Sequence, residues 1–199
     1  MMKIICLTGG IASGKSTAAK LLESLGAKII DADKLGHQSY RQGTSTYKEL
    51  TKVFGKKICA PNGEIDRKLL GTLVFKDKKL LKKLTAIVWP SIRLLAEQAI
   101  EDLQKIDKET KIVLEAAVLI EAGWETIGTE TWVIEVIPEV AIERVMLRNK
   151  ISRSEAQARI NSQLTNQERA TKADVIIPNN GTTEKFLREV TRCWELGAG

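Results

Sequence analysis

The stretch LTGGIASGKST, residues 7–17, leaves the chain few choices of architecture. Gly9 and Gly14 are separated by four residues, and Lys15, Ser16 and Thr17 follow at once. The apolar run KIICLT at 3–8 precedes it, while Ala18, Ala19, Leu21, Leu22 and Leu25 recur behind it at helical spacing, with Gly26 as a C-cap. Strand, glycine loop and amphipathic helix in that order form a βα unit, which buries its apolar face in a mostly parallel sheet. The loop has its own logic. Glycines and small side chains let the backbone curl until several N–H groups point inward, and the start of the helix adds its partial positive charge. The spacing Gly9-x-x-x-x-Gly14-Lys15-Ser16 fits a phosphate-binding loop, in which the lysine reaches the β- and γ-phosphates and the hydroxyl is placed to ligate Mg²⁺. Gly9, Gly10, Ile11, Ala12, Ser13, Gly14, Lys15, Ser16 and Thr17 are therefore read as a cradle for a nucleoside triphosphate. A plain glycine-rich turn with an exposed lysine would leave the flanking pattern without a purpose.

Strands and helices alternate along the chain. AKIID at 27–31, KIVLEA at 111–116, ETWVIEVI at 130–137 and DVIIPNNG at 174–181 supply further strands, the last running into a turn. Residues 34–107 read as helical with no convincing strand, punctuated by APNGEID at 60–66 and by Trp89-Pro90. A long helical excursion inside a βα pattern is expected to be an insertion that holds a second substrate. Pro138 suits the first turn of a helix reaching about Asn149. Ser152 with Glu155 forms a capping box for a helix to about Leu164, and a last helix is expected over 183–194. The expected fold class is α/β: a three-layer phosphate-loop fold with a mostly parallel sheet, a helical insertion at about 34–108 and a helical lid at about 144–170, all in a single domain over 1–199.

With 43% hydrophobic residues and no low-complexity segment, the chain is expected to be folded throughout. Only Met1-Met2-Lys3 precede the first apolar run, so no secretory signal is expected, and the apolar run at 112–120 is broken by Glu115 and too short to span a bilayer. Cys6, Cys59 and Cys193 are widely separated, which argues against a disulfide framework or a zinc site and for a cytoplasmic setting. The formal charge of +6 suits nucleic acid, an anionic surface or small polyanions alike. Its densest piece, KDKKLLKK at 76–83, groups its leucines on one helical face and reads as a solvated surface rather than a phosphate-contacting patch. Neither nucleic acid nor a membrane is expected as a partner, and the protein is expected to be a monomer.

A bound triphosphate could be transferred, hydrolysed to work a switch, or hydrolysed for mechanical work. TKAD at 171–174 resembles a guanine-reading string, but it precedes an apolar strand, whereas ligands of α/β sheets sit beyond strand ends. Transfer requires a group to orient the acceptor and take its proton. Asp31 and Asp33 of DAD lie at the end of the second strand, where an extended backbone would point both the same way; an N-cap role for Asp33 is the structural alternative. Charge on the moving phosphoryl group needs cations. Arg144 and Arg148 share a helical face, and Arg153, Arg159 and Arg169 follow, with Arg159 on the face of Gln163. His37, the only histidine, has no metal-ligand partner in the sequence, and its closeness to Asp33 suggests an acceptor contact. Of the tryptophans, Trp124, near Glu121, is the one expected to touch a ligand. Phosphotransfer to another small acceptor such as a nucleoside monophosphate, a non-enzymatic nucleotide switch and RNA binding through the lysine-rich segment remain as rivals.

LTGGIASGKST, GAKIIDADKLGH, FG at 54–55, NGEIDRKLLG, LTAIVWP and ADVIIPNNG together resemble the dephospho-CoA kinase family, in register from Ile4 to about Trp194. LTAIVWP and LIEAGWE look closer to the kinase half of the animal bifunctional CoA synthase, though a monofunctional chain without an adenylyltransferase half is expected. The resemblance implies transfer of the ATP γ-phosphoryl group to the ribose 3'-hydroxyl of 3'-dephospho-CoA with Mg²⁺. It implies Asp33 as the base, Lys15 and Arg144 at the moving phosphate, and Arg148 in support. It also implies Asn179 and Asn180 beside the adenine, and an acceptor site that includes Asp31, His37, Arg67 and Glu121. The chain departs from the pattern at Trp89, where a histidine is usual, at Asn149, where an aspartate is common, and at Glu115, which stands in for a usual aspartate as a Walker B-like carboxylate.

Overall fold

The computed structural model describes residues 3–75 and 77–196. In chain order its main elements are β1 (Ile4–Gly9), α1 (Lys15–Ser24), β2 (Lys28–Asp31), α2 (Ala32–Ser39), α3 (Ser45–Phe54), α4 (Arg67–Phe75) and α5 (Lys78–Ile106). They continue with β3 (Ile112–Glu115), β4 (Glu130–Glu135), α6 (Pro138–Asn149), α7 (Arg153–Asn161), α8 (Asn166–Ala170), β5 (Val175–Pro178) and α9 (Thr183–Leu196). Contacts divide the chain into two compact units, one built from residues up to Asp31 and from Asp102 onward, the other from Ala32–Glu101.

The first unit holds the sheet, ordered β2-β3-β1-β4-β5, with every pairing parallel. β1 lies at its centre, Ile4 in register with Ile112 on one side and Gly9 with Ile134 on the other. All six of its residues are buried, which is why the strand reads as an unbroken apolar run instead of an alternation. Against the sheet pack Ala18, Ala19 and Leu22 of α1 and Phe186, Val190 and Trp194 of α9, meeting Ile5, Leu7, Trp132 and Ile177. The spacing of four between the three α9 residues sets them on one face, and burial of each large side chain stabilises the fold by roughly 1.5–3 kcal/mol. A smaller apolar cluster joins Ile142 and Val145 of α6 to Ala156 of α7, with Ile11 and Ala12 packed against it. Helices cover both sides of the sheet.

Two local results differ from the sequence reading. The helix that begins at the Ser152–Glu155 capping box stops at Asn161 rather than about Leu164, because Thr165 and Glu168 form a second capping box that opens α8. The residues 171–174 that mimic a guanine-reading string form the tight turn after α8, with Lys172 N–H donating to Arg169 O and Ala173 N–H to Ala170 O.

In the second unit Trp89-Pro90 does not interrupt the chain, and α5 runs through Pro90 for 29 residues. The missing N–H and ring clash cost on the order of 3 kcal/mol. They are offset by a buried stripe of Val88, Ile92, Ala96 and Ile100, while Pro90 itself is exposed. Lys78, Lys79, Lys82 and Lys83 of the basic run are exposed on the first turns of α5; Lys76 lies outside the described residues. The stretch at 60–66 closes as a tight turn bridged between Cys59 and Ile65. No helix among the described residues is long and apolar enough to cross a membrane.

Candidate active site

The loop between β1 and α1 is shaped by two glycines for different reasons. At Gly9 an added Cβ would lie 2.5 Å from Ser13 Oγ and 2.6 Å from the Ile134 carbonyl, so the strand end must be bare to let the loop fold back beside β4. Gly14 has φ 97° and an added Cβ would collide with Asn179 Nδ2, so both its conformation and its surroundings demand glycine. Ala12 takes φ 59°, a conformation that costs an ordinary residue about 1–2 kcal/mol. The strain is held in place from outside the loop. Asn179 Nδ2 donates to Ser13 O at 2.7 Å, Arg144 Nη1 to Ala12 O at 3.3 Å, and Ile11 N–H to Gln163 Oε1 at 2.8 Å. No side chain caps the start of α1, and no acid occupies its first turn, which leaves that helix end suited to an anion.

Lys15 and Ser16 converge on one carboxylate. Glu115, the last residue of β3, accepts from Lys15 Nζ at 2.6 Å and from Ser16 Oγ at 2.7 Å. The Lys15 and Glu115 side chains are only 13% and 10% exposed, so removing either would leave a buried charge at a cost of about 3–5 kcal/mol. Asp31 stands in register with Glu115 at the same carboxyl edge of the sheet. Hydroxyl and carboxylate oxygens of this kind suit Mg²⁺. Among the described residues no three His, Cys, Asp or Glu side chains gather into a metal cluster, so a cation here would draw most of its oxygens from phosphate and water.

The remaining sequence-predicted residues fall into separate groups. Arg144 reaches the loop and also donates from Nη2 to Asn179 Oδ1 at 3.3 Å, whereas Arg148 is exposed and donates to Asn149 Oδ1 at 2.9 Å. Arg153 and Arg159 are exposed on α7, and Gln163 lies beyond the end of that helix instead of sharing a face with Arg159. Asn179 is buried and engaged with Ser13 and Arg144; Asn180 Oδ1 accepts from Ile137 N–H at 2.8 Å and so anchors the start of α6. Glu121 faces Arg169 Nη2 at 3.8 Å. Trp124 is 3% exposed, closed off from any ligand, and its carbonyl accepts from the Cys6 thiol at 3.5 Å, which corrects the expectation of a ligand contact there.

In the helical unit Asp33 and His37 are exposed and four residues apart on α2, hence on one face. His37 Nε2 is hydrogen-bonded by Arg67 Nη1 from α4. Burial raises the Tyr40 pKa, and the nearby Arg67 opposes the shift. The extended reading of DAD fails locally: β2 ends at Asp31 and α2 begins at Ala32, so Asp33 sits in the first helical turn, where an acid is favoured by the helix dipole. Sequence spacing could not find Gln163 or Arg169 as loop contacts, though the Thr165-x-x-Glu168 signature marks where the chain turns back.

A glycine cradle at the carboxyl end of the central parallel strand, backed by a lysine, a hydroxyl and a carboxylate, makes this a phosphate-loop kinase fold. The family model for dephospho-CoA kinase matches residues 3–185. A dephospho-CoA kinase of Geobacter sulfurreducens is 44% identical over 193 residues, covering 97% of this chain and 98% of the relative. Among solved structures, a Thermus thermophilus protein matches with a TM-score of 0.81 at 32% identity, covering 100% of this chain and 98% of that one. A dephospho-CoA kinase from Campylobacter jejuni matches with a TM-score of 0.71 at 33% identity, covering 98% and 96%. The chain belongs to the dephospho-CoA kinase family.

Proposed function

We propose that the protein transfers the γ-phosphoryl group of ATP to the ribose 3'-hydroxyl of 3'-dephospho-CoA, releasing CoA and ADP. The observation that carries this reading is the family match over nearly the whole chain, supported by a loop whose amides, lysine and hydroxyl suit a triphosphate.

In this reading the loop amides and the start of α1 bind the β- and γ-phosphates, and Lys15 exchanges Glu115 for them. Ser16 and Glu115 would hold Mg²⁺, which would supply positive charge to offset that of the phosphates. Asp33 takes the proton of the 3'-hydroxyl as its oxygen bonds to the γ-phosphorus and the bond to the ADP oxygen breaks. Arg144 is poised beside the loop to meet charge on the moving group, with Arg148 in support from the same helix. The Asn179–Asn180 turn forms the edge against which the adenine lies, its amides holding walls and not reading the base. Asp31, His37, Arg67 and Glu121 are assigned to the acceptor. Two polyanionic substrates also account for the net charge of +6. A monomer in the cytoplasm, without nucleic acid or membrane partners, completes the proposal.

ADP release with dephospho-CoA, AMP, CMP and dTMP side by side tests the choice of acceptor. Turnover is expected with dephospho-CoA alone. Turnover of a monophosphate without dephospho-CoA would reject the assignment.

A further inference from the structure

Arg169, on the short helix α8, is 2% exposed. Its Nη1 donates to the Leu164 carbonyl and lies 3.4 Å from where a Cβ on Gly10 would stand. Next to Leu164, Gln163 accepts the Ile11 N–H at 2.8 Å. Behind the guanidinium, Glu121 approaches Nη2 at 3.8 Å, too far for a hydrogen bond. Among the described residues Arg169 Nε and Nη2 and Glu121 Oε2 are buried without a hydrogen-bond partner. Burial holds the guanidinium below its ordinary pKa, and Glu121 and Glu168 oppose the shift.

A buried, incompletely bonded charge pair is a poor way to stabilise a fold, since apolar side chains of similar size usually serve as well or better. What this pair touches supplies another reason for it. Gly10, Ile11, Gln163, Leu164 and Arg169 line one cavity of about 490 Å³ on the flank of the phosphate loop. We infer that Arg169, seated on Glu121, is a positioning residue for ATP: it fixes the 163–165 turn that grips Ile11, walls Gly10, and sets a desolvated positive charge behind the loop amides. The charge acts through the loop, at short range and in a dry setting where it is weakly screened. This rests on ATP being the nucleotide bound under the proposed function.

The test uses the full chain with Arg169→Met, Arg169→Lys and Gln163→Leu. ATP affinity is measured by calorimetry without acceptor, and KM for each substrate, kcat and the melting temperature are measured alongside. Arg169→Met leaves the Glu121 carboxylate without its partner and is expected to melt below the wild-type temperature, while the folded variant shows ATP affinity and KM for ATP worsened about tenfold or more, with KM for dephospho-CoA within about twofold. Arg169→Lys should recover part of the loss, and Gln163→Leu should show the same ATP-selective signature. A folded Arg169→Met protein with ATP affinity within about twofold of wild type would overturn the inference. Should that variant not fold, Gln163→Leu decides by the same thresholds. A wild-type protein that binds ATP yet leaves dephospho-CoA untouched would reject the proposed function and leave the comparison of ATP affinities standing.

Discussion

Asp33 occupies the first turn of α2, a position that a merely structural acid would favour and a catalytic base requires only if it meets the acceptor. Asp33→Asn separates the two roles, because the amide keeps the shape and some hydrogen bonding but cannot take a proton. Turnover measured by ADP release is expected to fall by about 10²–10⁴-fold with ATP affinity retained. A fall of less than about tenfold would assign the proton to another group. At this scale the sequence was informative wherever chemistry depends on local spacing: Lys15 and Ser16 follow from the loop pattern itself. Local spacing says nothing of Glu115 as the partner of both, because it takes the parallel register of β1 and β3 to bring residues a hundred positions apart into contact; only the family resemblance singles it out, as a Walker B-like carboxylate.

At the level of elements, the two capping boxes make α7 and α8 sensitive to acid. Ser152 donates from its hydroxyl and N–H to Glu155, and Thr165 from its N–H and hydroxyl to Glu168, which holds both carboxyl groups below their ordinary range. A carboxylate with a depressed folded-state pKa adds stability above its unfolded value of about 4.3 and loses it as pH falls through the folded value. The melting temperature of wild type should therefore exceed that of a Glu155→Gln, Glu168→Gln double variant at neutral pH. The gap should narrow as pH drops from about 5 toward 3. A gap that stays constant over that range would remove the charge from the explanation. The same elements mark where sequence patterns compete. Pro90 is a strong local signal against a helix, yet burial of an apolar stripe four residues apart outweighs it. Thr165-x-x-Glu168 is a valid start signal that lies just beyond the helix expected to about Leu164, and it opens α8.

For the whole molecule, alternation of strands and helices announced a parallel sheet, but nothing in a periodic pattern orders the strands, and β2-β3-β1-β4-β5 emerges only from pairing. Ligand binding should stabilise the molecule as a unit of mass action. ATP with Mg²⁺ at about a hundred times its dissociation constant adds roughly 2.7 kcal/mol, which in a chain of this size raises the melting temperature by on the order of 5–10 °C. Absence of any shift at that occupancy, with affinity known from calorimetry, would contradict triphosphate binding to the folded state. The central place of β1 also has a kinetic side. Ile4 pairs with Ile112 and Ile5 with Glu130, so β1, once made, finds these neighbours only after roughly a hundred more residues have been made. At about 5–20 residues per second that is a wait of roughly 5–20 s, during which the apolar strand depends on chaperones or on transient collapse while residues 32–101, a unit with its own contacts, have time to fold.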